Sequence, residues 1–212
     1  MNIRECREED LAVLEASRPS RGRTGYARRF ERQRQGLSTY LIAWVDGIPI
    51  GRGEILWQGC AAPEVSQRYP QCPELNGVEV WPAERRSQGI GTAIIGVAEA
   101  CAHVRGYHQI GLGVTDDNPR AAALYQRLGY HDAGCRCVDR YHYLDDYGRR
   151  HYIADLARFL IKQLQVQGLD LGIATDRFYR VSSMYPTRLV GPRAAIGPDV
   201  GPLLADHWGQ TI

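Results

Sequence analysis

Apolar residues in the middle of the chain recur with the period of a helix in two places. From Ile90 they continue at positions 94, 97, 98, 101 and 104, a spacing typical of a helix with one buried face, and Gly106 marks its end. In the second place, Asn118 and Pro119 are a favoured cap and first residue, followed by apolar positions at 121, 124, 125 and 128. Gly129 is predicted to end this second helix.

Shorter stretches predict strands around these helices. The runs "STYLIAW" and "IPIGRGEILW" meet at Asp46-Gly47, a strong signal for a hairpin turn. The runs "NIRECR", "GVEVW" and "HQIGLGV" are also strand-like, as are two runs between positions 140 and 165, whereas "EEDLAVLEAS" and the segment from about Gly25 are predicted helices. Residues 59–76 carry three prolines and are predicted to form a loop. This order predicts an α/β fold, a mixed sheet with helices packed on it.

Composition and charge narrow the class of protein. A chain of 212 residues, 44% hydrophobic and 24% charged, suits one globular domain over residues 1–165 with a Gly- and Pro-rich C-terminal extension over 166–212. Its apolar runs are shorter than the ~18 residues of a membrane span, and its net charge of +2 gives no argument for nucleic-acid binding. The polar N-terminus and six cysteines predict a cytoplasmic protein with reduced thiols. Cys135-x-Cys137 lacks a second ligand pair at zinc spacing, so no metal is expected.

The stretch "ERRSQGIGTAII", residues 84–95, has the features of an anion site. It links a predicted strand to a predicted helix, whose first N–H groups have no partner within the helix and carry partial positive charge. Glycine lets a phosphate approach the backbone closely, and flanking arginines add charge-assisted hydrogen bonds. The stretch therefore predicts a pyrophosphate site.

Three phosphate-binding motifs compete for this stretch. A P-loop requires a lysine after its last glycine, and the single lysine of the chain is Lys162. A dinucleotide-binding fingerprint requires Gly or Ala where the chain has Ile94. The pattern Arg/Gln-x-x-Gly-x-Gly/Ala is satisfied from Arg86 to Gly91.

At this motif, and at a second one, the chain resembles the GNAT family of N-acetyltransferases. About 27 residues after the first motif, "NPRAAALYQRLGY" is similar to the family pattern Asn-x-x-Ala-x-x-Leu-Tyr-x-x-x-Gly-Tyr/Phe, and the turn before the glycines is one residue longer than usual. The resemblance covers about residues 1–165. It implies the acyl-CoA N-acyltransferase fold, a mixed, mostly antiparallel sheet with a splayed parallel strand pair and flanking helices, and acetyl-CoA as co-substrate.

The resemblance also implies which residues act. Tyr125 is at the family's general-acid position, and this role is favoured over the alternative, simple packing with Leu124 and Leu128 on the buried helix face. Backbone N–H groups near Val80 are expected to form the oxyanion hole, with pantetheine in the gap between "GVEVW" and "HQIGLGV". The residues expected to contact the coenzyme are Val78, Val80, Arg85, Arg86, Ser87, Gln88, Gly89, Ile90, Gly91, Thr92, Asn118, Ala121 and Tyr125.

The general base is less well defined by the sequence. Glu79 lies on the strand next to the reacting carbon, on the face opposite Val78 and Val80, and is either the base or a carboxylate on the strand surface. Glu54 and His108 are lesser candidates, and many family members use ordered water instead.

An arginine-rich segment, residues 18–35, carries seven arginines and one acid. The interpretation favoured by the sequence is a solvated helical face. The alternatives are selection of an acidic acceptor or contact with the ribose phosphate of the coenzyme. Charge reversal at Arg28 and Arg29 distinguishes them, because it should raise the Michaelis constant of the acceptor in the first case and that of the coenzyme in the second.

The sequence thus predicts an N-acetyltransferase that moves an acetyl group from acetyl-CoA to an amine by direct attack in a ternary complex. The acceptor is a small-molecule amine or a peptide or protein amine. The alternative is a non-catalytic acyl-CoA sensor or partner-binding module on the same fold. Three roles stay open for the extension: covering the active site, forming a homodimer, or remaining a mobile tail.

Overall fold

The computed structural model describes residues 1–20, 24–144 and 148–164, so the predicted extension over 166–212 lies outside the described residues. Within these ranges one sheet contains seven strands. They are β1 (Asn2–Glu5), β2 (Ser38–Val45), β3 (Ile48–Leu56), β4 (Glu74–Val80), β5 (Gln109–Thr115), β6 (His131–Leu144) and β7 (Arg150–Gln163). The hairpin turn predicted at Asp46-Gly47 is confirmed, since Val45 pairs with Ile48. The strand β6 begins earlier than the position near 140 that the sequence predicts.

Five α-helices accompany the sheet in the described part of the chain. They are α1 (Asp10–Ser17), α2 (Gly25–Arg34), α3 (Pro63–Ser66), α4 (Ile90–Val104) and α5 (Pro119–Arg127). Both helices predicted from apolar periodicity are confirmed as α4 and α5. The predicted loop over 59–76 instead contains the short helix α3 and the start of β4.

The strand order is β1-β2-β3-β4-β5-β7-β6, and β4–β5 is the parallel pair among otherwise antiparallel neighbours. Parallel neighbours need a crossover connection, and α4 supplies it between β4 and β5. The predicted fold, a mixed and mostly antiparallel sheet with one parallel pair, is confirmed.

Two different surfaces form on the two faces of the sheet. Ile90, Ile94, Ile95 and Ala98 of α4 pack on an apolar cluster that includes Val78 of β4. On the opposite face, α1 and α2 cover a second cluster whose members are Cys6, Leu14, Tyr26, Tyr40, Ile42, Trp44 and Trp81. Charged side chains lie buried beside this second cluster, and they are described below.

Candidate functional site

The N-terminus of α4 has no side-chain cap. Its N-cap residue is Gly89, in the left-handed conformation with φ of 82°, and no side chain accepts a hydrogen bond from the first turn. A Cβ added at Gly89 would meet no heavy atom within 4 Å, so the space beside this backbone is open. Uncapped N–H groups, the positive end of the helix dipole and this open space fit a phosphate group.

Side chains of the turn before α4 and of α5 surround this N-terminus. Arg86 Nε donates to the Val80 carbonyl at 3.2 Å, which holds Arg86 against the end of β4. The Gln88 side-chain amide donates to the Glu84 carbonyl at 2.8 Å. From α5, Arg120 donates to the Ser87 hydroxyl, so the two sequence motifs meet in space. The sequence reasoning missed Arg120, although it is the third residue of "NPRAAALYQRLGY".

The parallel strands β4 and β5 separate soon after they meet. Their pairing in the described chain is Glu74 with Gly111, supported by a hydrogen bond from Gly111 N to the Pro73 carbonyl at 2.9 Å. Beyond this point the edges of β4 and β5 face each other across a gap. The splayed pair that the resemblance implied is therefore present.

The N–H group of Val80 is directed into this gap. Trp81 N donates to the Ile50 carbonyl of β3 at 2.9 Å. Because N–H groups alternate between the two edges of a strand, the N–H of the preceding Val80 is directed towards β5. This is the edge where the resemblance places the oxyanion hole.

A β-bulge just before Val80 changes which side chains of β4 lie on each face of the sheet. Arg52 pairs with Glu79, but Glu54 pairs with Asn76, so β4 contains one extra residue opposite Gly53. Gly77 adopts φ of 59°, which an L side chain rarely adopts. After the bulge, Val78 and Val80 face α4. Glu79 faces α1 and α2, as the strand alternation predicts.

Tyr125 lies in the apolar core. It is 3% exposed, and its ring packs edge to face on Tyr130 with the ring centroids 5.9 Å apart. Burial raises the pKa of the Tyr125 hydroxyl, so the group stays protonated at neutral pH. The Asn118 side chain accepts a hydrogen bond from Ala121 N at 3.1 Å, which confirms its predicted capping role. The general-acid role of Tyr125 stays a prediction.

Glu79 is buried and ion-paired. It is 3% exposed, and its Oε2 accepts hydrogen bonds from Arg52 Nε at 3.0 Å and lies 2.8 Å from Arg52 Nη2. Its Oε1 accepts a hydrogen bond from Arg18. The surface alternative for Glu79 is therefore wrong, whereas its role as base stays a prediction.

The two lesser base candidates lie in different surroundings. Glu54 is 1% exposed and accepts hydrogen bonds from Arg32 Nε at 2.9 Å and Arg32 Nη2 at 2.7 Å, so its carboxylate is enclosed by guanidinium. His108 is exposed just before β5, at the end of the splayed pair where the two strands are still joined. His108 is thus at the end of β5 remote from the open gap.

The interpretation of segment 18–35 as a solvated helical face is wrong for two of its arginines. Arg29 is 8% exposed and Arg32 is similarly buried, whereas Arg28 is exposed. The physical reason is Glu54 of β3, which lies beneath α2, with its carboxylate 3.2 Å from Arg29 Nε. Burial lowers the pKa of Arg29 to about 10, the Arg52 charge adds to this effect, and Glu54 opposes it.

Of the helices that the structure describes, none combines the length and apolar character needed to cross a membrane. No group of three or more His, Cys, Asp or Glu side chains lies together in the described ranges in a way that could hold a metal ion.

Comparison with known proteins places this geometry among acetyltransferases. The family model described as "Acetyltransferase (GNAT) family" matches residues 5–130. No curated protein matches the chain in sequence.

Three solved structures illustrate the shared fold. A ribosomal-protein-alanine N-acetyltransferase from Brucella melitensis is 23% identical, with a TM-score of 0.55, over 77% of this chain and 100% of its own. A phosphinothricin acetyltransferase from Sinorhizobium meliloti, in complex with AcCoA, is 19% identical, with a TM-score of 0.54, over 77% of this chain and 88% of its own. The PaiA N-acetyltransferase from Thermoplasma acidophilum, in complex with coenzyme A, is 17% identical, with a TM-score of 0.52, over 76% and 98%.

Proposed function

The chain belongs to the acetyltransferase (GNAT) family, and on this premise we propose that it is a cytoplasmic enzyme that transfers an acetyl group from acetyl-CoA to an amine. The observation that carries the proposal is the conjunction of an uncapped α4 N-terminus with a gap between β4 and β5. A sheet edge and an anion site, joined by the turn over residues 81–89, match a long ligand that has a diphosphate near its middle.

In this proposal, the residues that hold the coenzyme lie in the turn before α4, at the start of α4, along the edge of β4 and at the start of α5. The turn and first helical residues bind the pyrophosphate, the β4 edge binds the pantetheine amides, and Asn118 and Ala121 contact it from the start of α5. Arg120 is added to this set because it donates to Ser87. When bound, acetyl-CoA supplies an activated thioester, whose carbonyl carbon is open to attack by an amine.

Each reacting atom has a matching group on the chain. The Val80 N–H, directed towards β5, stabilises negative charge on the carbonyl oxygen during attack. The Tyr125 hydroxyl donates a hydrogen bond to the departing sulfur. Its raised pKa makes full proton transfer to a thiolate unfavourable, so Tyr125 assists departure rather than controlling it. Glu79 accepts the proton of the amine through water, with Arg18 and Arg52 holding its carboxylate in place.

The acceptor classes named for the structural neighbours, a ribosomal-protein alanine and phosphinothricin, span both protein and small-molecule amines. Both therefore belong in the first acceptor panel. The direct attack proposed here predicts sequential kinetics, and an acetyl-enzyme formed in the absence of acceptor would contradict it.

The test is release of free thiol from acetyl-CoA with a panel of amines, comparing the wild type, Tyr125→Phe and the control Tyr130→Phe. Loss of the Tyr125 hydroxyl should lower kcat about tenfold, less than the ~100-fold or more typical of full general acid catalysis. Tyr130→Phe removes a buried hydroxyl in contact with the same ring and should leave kcat unchanged. Coenzyme A binding without turnover of any amine would instead favour the acyl-CoA sensor.

A further inference from the structure

Four arginines lie over the part of the sheet that faces α1 and α2. We define the acceptor-side cluster as these arginines with the two carboxylates that they contact: Arg18, Arg29, Arg32, Arg52, Glu54 and Glu79. Strand register brings it together, since Arg52 lies directly opposite Glu79 on the neighbouring strand. All six side chains lie on the opposite side of the sheet from α4, and so from the α4 N-terminus, where the pyrophosphate is proposed to bind.

The positive charge of this cluster exceeds its negative charge. Arg32 takes both oxygens of Glu54 in a bidentate contact, so Arg29 shares a carboxylate that is already paired. Arg29 Nε is buried and makes no hydrogen bond. Arg18 and Arg52 likewise share the single carboxylate of Glu79. Burying guanidinium charge without a full complement of carboxylates is unfavourable, which favours a site that an anion completes.

The excess charge lies beside the reacting centre. A Cβ added at Gly77 would be 3.1 Å from Arg29 Nη2, so this guanidinium covers the bulge of β4 three residues before Val80. The Arg18 side chain is 41% exposed, so the cluster also reaches solvent. These arginines therefore lie on the face of β4 that α4 does not cover, within three residues of Val80 along the strand.

We propose that the acceptor amine carries an anionic group, a carboxylate or a phosphate, which binds between Arg29 and Arg52 with Arg18 at the entrance. The inference rests on the proposed acetyltransferase function and names the substrate class of that site. Planar guanidinium groups bind both anions through paired N–H donors. A polycationic acceptor is excluded by like-charge repulsion. Contact with the coenzyme phosphates is disfavoured because the cluster and the N-terminus of α4 lie on opposite faces of the sheet.

The experiment uses the full chain with matched amines that differ in one charge. Each amino acid is paired with its carboxamide, and phosphoethanolamine is paired with ethanolamine, at saturating acetyl-CoA. The anionic member should have the higher kcat/KM by about tenfold or more, and the two series distinguish carboxylate from phosphate. Arg29→Gln should lower kcat/KM for the anionic member about 10- to 100-fold and leave KM for acetyl-CoA unchanged.

Two further variants keep the test independent of folding defects. Arg18→Gln changes a half-exposed side chain and should lower the same preference by a smaller factor. Arg28→Gln changes an exposed arginine on the same helix as Arg29 and should leave the preference for the anionic amine unchanged. Equal use of neutral and anionic amines would overturn the inference, and so would a rise in KM for acetyl-CoA in Arg29→Gln.

If no amine is turned over, thermal unfolding of the coenzyme A complex with the N-acetylated products shows whether the site recognises the anionic group. Stabilisation by the anionic product of a pair alone would support the inference, whereas equal stabilisation or none would overturn it. The proposed function fails separately, when no thiol is released from acetyl-CoA with any amine, neutral or anionic, whether or not coenzyme A stabilises the chain. The two failures are therefore distinguishable.

Discussion

The two faces of the sheet are built from opposite kinds of contact. The face under α4 is an apolar cluster in which helix and strands meet through aliphatic side chains. The face under α1 and α2 also has an apolar cluster, but beside it this face buries arginines and glutamates in shared ion pairs. Hydrophobic packing tolerates many sequences of similar volume, whereas a buried ion pair depends on each partner. The apolar face therefore fixes the shape of the splayed sheet, and the charged face carries the chemical selectivity that we infer.

The largest expected effect comes from removing a carboxylate on the charged face. Glu54→Gln leaves the buried Arg29 and Arg32 without their shared counter-charge, and we expect a loss of about 3–5 kcal/mol in the free energy of unfolding. Urea denaturation measures it. Glu31→Gln is the matched control, because its partner Arg34 is exposed and surface pairs contribute little. Equal losses in the two variants would contradict the contrast between the faces.

The next largest effect concerns the turn that leads into α4. Gly89→Glu places a side chain in a left-handed conformation and a negative charge where phosphate is expected to bind. The affinity for coenzyme A should fall by about 100-fold or more, measured by calorimetry. Gly96→Glu adds the same charge at an exposed position of the same helix and should bind coenzyme A normally. Unchanged affinity in Gly89→Glu would place the pyrophosphate elsewhere.

A smaller effect concerns the buried thiol of Cys6 beneath α1, and tests whether this face tolerates its ionisation to a thiolate. Burial raises the pKa of Cys6 from its ordinary value of 9.0 to about 12, with Asp10 adding to the shift and Arg4 opposing it. Burial also raises the pKa of Cys72 to about 12. Above pH 9 the unfolded chain loses these protons while the folded chain keeps them. The contribution of the two thiols to the free energy of unfolding is therefore fully present below pH 9 and is lost as the pH rises from 9 towards 12.

The expected loss between pH 8 and pH 10 is about 1.4 kcal/mol in total for each thiol, measured by urea unfolding, because the slope reaches its full value only above pH 9. Cys6→Ala should remove the share of one thiol from this alkaline loss, because Cys72 and buried tyrosines such as Tyr125, whose pKa is also raised, still titrate. A slope that Cys6→Ala leaves unchanged would mean that the Cys6 thiolate is tolerated beneath α1.

The apolar face was largely predictable from sequence, because its signals are local. A helix period from Ile90, an Asn-Pro cap at Asn118 and a two-residue turn each act within a few residues, and each is confirmed. One exception is Val104, which continues the apolar period but is exposed at the last residue of α4. The period continues past the point where the helix leaves the sheet.

The charged face was not predictable in the same way, because its contacts join distant residues. Arg32 and Glu54 are separated by 22 positions, and neither has a local pattern that names the other. The bulge at Gly77 adds one residue to β4, and an isolated glycine in a strand does not specify how the register shifts. Segment 18–35 by itself therefore predicts a solvated helix, because nothing local in the sequence indicates that Glu54 of β3 lies beneath α2.

The smallest effect tests the orientation of α4 on the apolar face. Gly96 lies at an exposed position of α4, and a Cβ there would meet no heavy atom within 4 Å. Gly96→Ala should raise the free energy of unfolding by about 0.5–1 kcal/mol, because alanine loses less backbone entropy in a helix. A Cβ at Gly53, beneath α4, would be 2.8 Å from Ile94, so Gly53→Ala should instead destabilise by about 1–3 kcal/mol. Effects of the same sign would mean that α4 presents a different side to β3.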